Sequence, residues 1–251
     1  MKFGVADYGM NVWEGGCFDL QTRLEELKEI GFDGIERLEF VDTADAVSKA
    51  VTFRRLGMDF ATCRCPSVGL SNEITAAFGK EYVWFSLGKH GRDVDMDTFC
   101  RRARRFAKIA AKLGLKAVLH NHLGTRVESQ EELDTFMKEV PEGYLLFDIG
   151  HHFGAGGDIL GTIEKYADRI ASVHFKDVFI KDESKGLDDW GNRLRFCELG
   201  AGNCGEPWKE AAALLKKKGY DKWVLIEHDT HLRDPLIDLK VSLDALKKIF
   251  C

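Results

Sequence analysis

A chain of 251 residues, 45% hydrophobic and 31% charged, carries enough apolar material for a substantial buried core, in one large domain or two small ones. Its formal net charge of −5 and pI near 5.9 imply no large basic surface, which argues against a nucleic-acid binder. No apolar run approaches the ~20 residues needed to span a bilayer, and seven cysteines without zinc spacing or a signal peptide suggest reduced thiols in a cytoplasmic protein.

Lys2–Ala6 reads as a first strand, followed by Asp7, Tyr8 and Trp13 in a loop. Asp19 can cap a helix running to Ile30, with Leu20, Leu24, Leu27 and Ile30 at helical spacing and Gly31 as its stop. Gly34–Phe40 is a second strand, with Glu36 and Glu39 on it or near its end; Ala44–Leu56 is a helix ended by Gly57. Met58–Cys65 is the third strand, where Cys63 and Cys65 share one side, and Glu73–Phe78 is a short helix. Tyr82–Leu87 is a fourth strand ending at Gly88-Lys89-His90. Asp97–Leu113 is strongly periodic, with Arg101, Arg102, Arg104 and Arg105 on a solvated face.

Lys116–His122 is the fifth strand. Ser129-Gln-Glu-Glu132 is a capping box that opens a helix to Val140. Tyr144–Asp148, the amphipathic segment Asp158–Ile170 and Ala171–Phe175 form a strand–helix–strand unit. A long polar loop, Lys181 to Cys204, contains Gly200-Ala-Gly202. Pro207 starts the helix Trp208–Lys218, Trp223–Glu227 is strand eight, and Asp234-Pro235 opens a last helix to Phe250. Eight strand–helix units with apolar strands predict one (β/α)8 TIM barrel over residues 1–251. The rival, an open doubly wound sheet, finds no G-x-G-x-x-G or phosphate loop after any strand.

A barrel brings its strand ends to one rim. The ends of strands five to eight carry His120-Asn121-His122 with Glu128 beyond, Asp148 with His151, His174 with Lys176 and Asp177, and Glu227 with His228. Any one has an ordinary explanation: a turn cap, a core histidine, a rim ion pair. Four in register point to a site. Carboxylates with an imidazole suit a divalent metal ion, Mn²⁺ first and Co²⁺, Mg²⁺ or Zn²⁺ also compatible. Such an ion can hold a hydroxy-carbonyl substrate and stabilise the enediolate left by α-proton abstraction, with a nearby glutamate such as Glu227 as base.

At Gly31-Phe-Asp-Gly-Ile-Glu36, Leu145-Leu-Phe-Asp-Ile-Gly-His151, Val173-His-Phe-Lys-Asp177, Leu199-Gly-Ala-Gly202 and Gly219-Tyr-Asp-Lys-Trp-Val-Leu-Ile-Glu227 the chain resembles the xylose isomerase-like TIM barrel superfamily. That superfamily holds sugar isomerases and epimerases, inosose dehydratases and, more distantly, an apurinic endonuclease family. The resemblance implies Asp148, His174 and Glu227 as metal ligands, His151 against the reacting carbons, and Lys176 near the site. It departs at strand five. Many epimerases of the superfamily carry Glu-Asn-His there, whereas His120-Asn121-His122-Leu-Gly-Thr is more like the dehydratase branch. Two arrangements follow. In the favoured one Glu128 reaches back as fourth ligand and leaves His120 or His122 as acid/base, which keeps the site charge closer to the family's. In the other, His120 takes the ligand position and Glu128 only precedes the helix.

The implied activity is a metal-dependent isomerase or epimerase of a ketose, keto-sugar or keto-cyclitol. The alternative is a lyase eliminating water from the same substrates, because a histidine is a better general acid than glutamate near neutral pH. A metal-dependent nuclease and a non-catalytic sugar-binding barrel come lower. Glu36, Arg64, Lys89 and His90 are candidate contacts to substrate hydroxyls; Tyr8, Trp13 and Trp190 are candidate pocket walls. The expected partner is a small carbohydrate, with no nucleic acid or membrane, and a homo-oligomer is open.

Overall fold

The helix boundaries follow local chemistry. In the computed structural model, which describes residues 1–6, 19–85, 92–229 and 232–251, α1 (Leu20–Ile30) begins where the Asp19 carboxylate accepts from Thr22 N and ends at Gly31, whose φ of 107° is left-handed. Next come α2 (Thr43–Leu56) and α3 (Val68–Ala77), capped by Asp42 and Ser67. On α4 (Met96–Ala111), Phe99, Cys100, Ala103, Phe106, Ala107 and Ala110 are buried, while Arg101, Arg102 and Arg105 are exposed. The Ser129/Glu132 capping box opens α5 (Gln130–Glu139). Further along lie α6 (Ile149–Gly154), α7 (Ile159–Tyr166), the single turn α8 (Trp190–Arg193), α9 (Pro207–Lys217) and α10 (Pro235–Phe250).

Eight parallel strands form a nearly closed barrel. They are β1 (Lys2–Ala6), β2 (Gly34–Glu39), β3 (Asp59–Arg64), β4 (Tyr82–Trp84), β5 (Lys116–His120), β6 (Tyr144–Asp148), β7 (Ile170–Phe175) and β10 (Trp223–Glu227), in the order β3-β2-β1-β10-β7-β6-β5-β4. The seam between β3 and β4 is tied by the Thr62 hydroxyl, which donates to Tyr82 O at 2.6 Å. Between β2 and β3 the backbones approach so closely that a Cβ on Gly34 would lie 1.8 Å from Asp59 O. Ala61 and Ala171 leave room inside the barrel for Tyr82, Trp84, Tyr144 and Trp223. The larger apolar layer lies between strands and helices, where Phe3, Phe175 and Phe250 meet edge to face.

Several boundaries differ from the sequence reading. Val68–Ala77 is longer than the expected Glu73–Phe78 because Ser67 caps it early. The helix expected over 158–170 stops at Tyr166, and Ile170 already belongs to β7. Helix α6 is additional to the expected elements; it springs directly from β6, capped by the Asp148 carboxylate. The expected polar loop is an antiparallel ribbon, β8 (Asp177–Ile180) with β9 (Leu194–Cys197). Its strands are only four residues long, too short to stand out from polar surroundings, yet Val178, Leu194 and Phe196 alternate onto one face against Leu123. The glycines of Gly200-Ala-Gly202 serve this ribbon, their N–H groups donating to the Asp177 carboxylate. Among the described residues no helix is long and apolar enough to cross a membrane.

Candidate active site

Strand register sets the site. Asp148 on β6 pairs with His174 on β7, and Ile226 on β10 pairs with Phe175, so Glu227 lands one step higher on the same rim. The Asp148 backbone is clamped from β5: Asn121 Oδ1 accepts from Asp148 N and Asn121 Nδ2 donates to Asp148 O, both at 2.9 Å. Asp148 Oδ1 accepts from His151 N at 2.7 Å, which leaves Oδ2 facing the barrel axis. There it lies 3.2 Å from His120 Nε2, 3.4 Å from His174 Nδ1 and 2.9 Å from Lys176 Nζ. Glu227 Oε2 is 3.2 Å from the same His174 Nδ1 and also bonds Lys176. Lys176 reaches Asp229 Oδ2 at 2.9 Å as well, completing a fully buried ammonium among three carboxylates. Only glycine fits beneath it, because a Cβ on residue 150 would lie 2.4 Å from Lys176 Cγ.

Charge decides the protonation states. Burial alone would raise the Asp148 and Glu227 carboxyls, but the Lys176 ammonium and the histidines outweigh it and hold both well below the usual range. Burial opposes a charge on His174, yet Glu36 and Glu227 push its pKa well above the ordinary value. Asp229 goes the other way, raised by burial and by Glu227. Burial also keeps two imidazoles neutral, aided by neighbouring positive groups: His122 is lowered to about 4 and His151 well below its ordinary value.

Those two imidazoles lie against each other at a tilt of 38°, ring centroids 3.5 Å apart, and one residue orients both. Leu123 O lies 2.6 Å from His122 Nδ1, so that nitrogen carries the proton and Nε2 is a lone pair. Leu123 N–H donates to His151 Nδ1 at 3.3 Å, so His151 carries its proton on Nε2, which is buried without a partner. Beside them opens a cavity of about 620 Å³, lined among others by Trp84, His120, His122, His151, Trp190, Phe196 and Glu227.

Atoms of His120, Asp148, His151 and Glu227 lie within 4.8 Å of one another, but both His151 nitrogens are engaged, Nδ1 by Leu123 N and Nε2 by its proton, which leaves His120, Asp148 and Glu227 as donors. With His174 Nδ1 between the two carboxylates, the donors fit a divalent cation: mixed oxygen and imidazole nitrogen, strongly acidic and shielded from water. The site lies within the C-terminal part of the chain, and residues 71–249 match the family model described as xylose isomerase-like TIM barrel. The chain belongs to that family.

Relatives by sequence and solved structures by fold are as follows. An inosose dehydratase from Bacillus velezensis is 30% identical over 86% of this chain and 71% of its own length. Another from Yersinia enterocolitica is 31% identical over 68% of this chain, which spans 59% of that relative. By fold, a probable 3-DHS dehydratase from Bacillus anthracis superposes with a TM-score of 0.75 at 16% identity, covering 98% of this chain and 99% of the other. A D-psicose 3-epimerase from Clostridium cellulolyticum gives 0.70 at 15%, covering 100% and 99%.

Within this family barrel, the expected site residues divide. His120, His122, Asp148, His151, His174, Lys176 and Glu227 converge. Glu128 does not join them: its carboxylate accepts from Gly124 N and pairs with Arg92 at 3.4 Å. The second strand-five arrangement, with His120 beside Asp148, is the one whose geometry is present. Glu36, expected at the rim against substrate, lies fully buried beneath His174 instead. Its Oε2 is 3.2 Å from His174 Nε2, and its Oε1 accepts from Trp84 Nε1 at 3.1 Å and Tyr82 OH at 3.4 Å. Arg64 and Trp190 do line the cavity. His228 turns away to Asp238. Lys89, His90, Tyr8 and Trp13 lie outside the described residues. Asn121, Leu123 and Asp229 also act at the site, beyond the residues expected from sequence. Asp229 had a signal, standing two residues beyond Glu227 on the same strand exit; Leu123 acts through its backbone and had none.

Proposed function

We propose that this protein is a divalent-metal-dependent lyase that removes water from a keto-polyol, a keto-cyclitol such as an inosose being the model substrate. The carrying observation is the His122–His151 pair, held by Leu123 with one bare Nε2 and one protonated Nε2 against the cavity. The names of the relatives favour the same reaction. This reverses the order expected from sequence, where isomerisation stood first. Moving a proton between two faces calls for a second base, and Glu128 is engaged elsewhere.

A divalent ion held by His120, Asp148, His174 and Glu227 would polarise the substrate carbonyl and acidify the adjacent carbon. His122 Nε2 takes the proton from that carbon, and the C–H electron pair passes to the carbonyl oxygen. The resulting imidazolium returns the proton to the β-hydroxyl. As the C–O bond breaks, the electron pair comes back to form the C=C bond, water departs and His122 is neutral again. One group serves as base and then acid, so both bonds break on one face of the substrate. His151, kept neutral, donates its Nε2–H to the oxygen that gathers charge. Lys176 stays protonated and stops Asp148, Glu227 and Asp229 from repelling one another.

The test is incubation of the Mn²⁺-loaded protein with 2-keto-myo-inositol, following the ultraviolet absorbance of the unsaturated ketone. His122→Asn should lower kcat about 10²-fold or more, and His151→Asn should lower it less. Deuterium incorporation from D2O with an epimer and no unsaturated product would return the isomerase reading to first place.

A further inference from the structure

The cavity beside the carboxylate cluster is ringed by cations that the proposed chemistry does not use. Arg37 from β2, Arg64 from the end of β3, Lys181 just beyond β8 and Arg195 on β9 all line it. This happens in a chain whose formal net charge is −5. The lining carboxylates, Glu227 and Asp229, are both taken up by Lys176. Arg37 is braced with its guanidinium 4.9 Å from the Trp84 ring, which in turn stands 4.8 Å from His120. Lys181 Nζ donates to Gly191 O at 2.5 Å, and the Arg195 guanidinium sits 4.5 Å from the Phe179 ring. Among the described residues neither Lys181 nor Arg195 has a carboxylate within ion-pair reach. Among the described residues Arg64 has only Glu39 at 3.9 Å, with both side chains more than half exposed.

We infer that the substrate carries an anionic group, a carboxylate or phosphate, that meets the cations lining this cavity. A neutral polyol hydroxyl both donates and accepts, whereas lysine and arginine side chains only donate. Donor-only Arg64, Lys181 and Arg195 around one cavity match an acceptor-only partner, and arginine's planar fork suits a carboxylate or phosphate in particular. A volume of about 620 Å³ is ample for a monosaccharide-sized acid. The inference rests on the reading of this cavity as the substrate site and narrows its substrate from neutral keto-polyols to their acids.

Titration calorimetry on the Mn²⁺-loaded protein with D-fructose, 5-keto-D-gluconate and D-fructose 6-phosphate tests it without turnover, so the result is independent of whether elimination occurs. At low salt at least one acid should bind roughly tenfold or more tightly than fructose. That advantage should shrink at about 0.5 M KCl and in the Lys181→Gln/Arg195→Gln double variant, while fructose binding changes little. Preference for the gluconate identifies a carboxylate, and preference for the phosphate ester identifies a sugar phosphate. Equal binding of fructose and both acids, no measurable binding of either acid, or an advantage indifferent to both salt and the double variant would overturn the inference.

Discussion

The two ends of the barrel both hold ionic clusters, and they are built to opposite balances. At the N-terminal end one carboxylate, Asp59, is shared by two lysines: Lys2 lies 2.5 Å from its Oδ2 and Lys80 bonds its Oδ1. All three are open to solvent to some degree, Lys2 about half exposed. At the C-terminal mouth Glu36, Asp148, Glu227 and Asp229 share one lysine, Lys176, and one histidine, His174. The lower cluster is satisfied by its own chain and closes the barrel floor. The upper one is short of positive charge in a place where desolvation makes that deficit costly, and a bound cation would make it good. Ion pairing is complete at one end and leaves a charge deficit at the other.

The contrast between mouth and floor should show most strongly in Asp148→Asn or Glu227→Gln. Either should abolish tight Mn²⁺ binding and lower turnover by about 10³-fold, measured by metal content after dialysis and by steady-state rates. Retention of both metal and activity would show that these carboxylates are merely structural.

Lys176→Met removes the counter-ion from the mouth. Without metal it should cost about 3–5 kcal/mol, the scale of breaking a buried ion pair, and Mn²⁺ should recover most of that loss. Urea unfolding with and without Mn²⁺ reads both. A variant as stable as the parent without metal would mean that the carboxylates are not charged together.

Acid should find the mouth before the floor. On α6 behind the site, His152 is buried with Nε2 against Gln130 and Thr162, and burial lowers its pKa from 6.5 to about 4. A lowered histidine favours the folded state fully above pH 6.5 and loses that contribution as pH falls toward 4, since the unfolded chain takes the proton first. The loss is on the order of 3 kcal/mol at most. Asp59, lowered despite its burial by Lys2 and Lys80, loses its contribution only as pH falls below its ordinary value near 3.8. Unfolding followed between pH 7 and 4.5 should therefore weaken the parent more than His152→Gln; parallel curves would contradict the assignment.

Glu36→Gln keeps the shape beneath His174 and removes the charge. An outer carboxylate fixing the orientation of a ligand imidazole is worth about 10- to 100-fold in metal affinity, so Mn²⁺ binding should weaken within that range while the fold survives. Unchanged affinity would make Glu36 a barrel-filling residue only. The smallest effect belongs to the floor: Asp59→Asn should cost under about 1 kcal/mol and leave metal binding and turnover as they were.

Much of the architecture is legible in the order of residues. The alternation of strand and helix follows from local signals, such as Asp19 and Ser129 as caps and Gly31 as a stop, and these are contained in a few consecutive residues. Asp148, His174 and Glu227 stand out because each lies at the end of an apolar strand, where an apolar strand has no need of such a residue. Other features depend on which distant elements meet. Glu36 is a partner of His174 only because barrel closure sets β2 across from β7. Glu128 turns to Arg92 and Gly124, although its place in the sequence allows it to reach the rim. The ribbon of β8 and β9 exists because two four-residue strands find each other and a buried face on Leu123. Chain order alone sets which residue types stand at each strand end, because helix caps, stops and apolar runs act over a few bonds. The folded barrel settles which of those side chains touch and which nitrogen of His122 and His151 carries its proton, because hydrogen bonds, burial and Coulombic balance depend on distances that chain order does not contain.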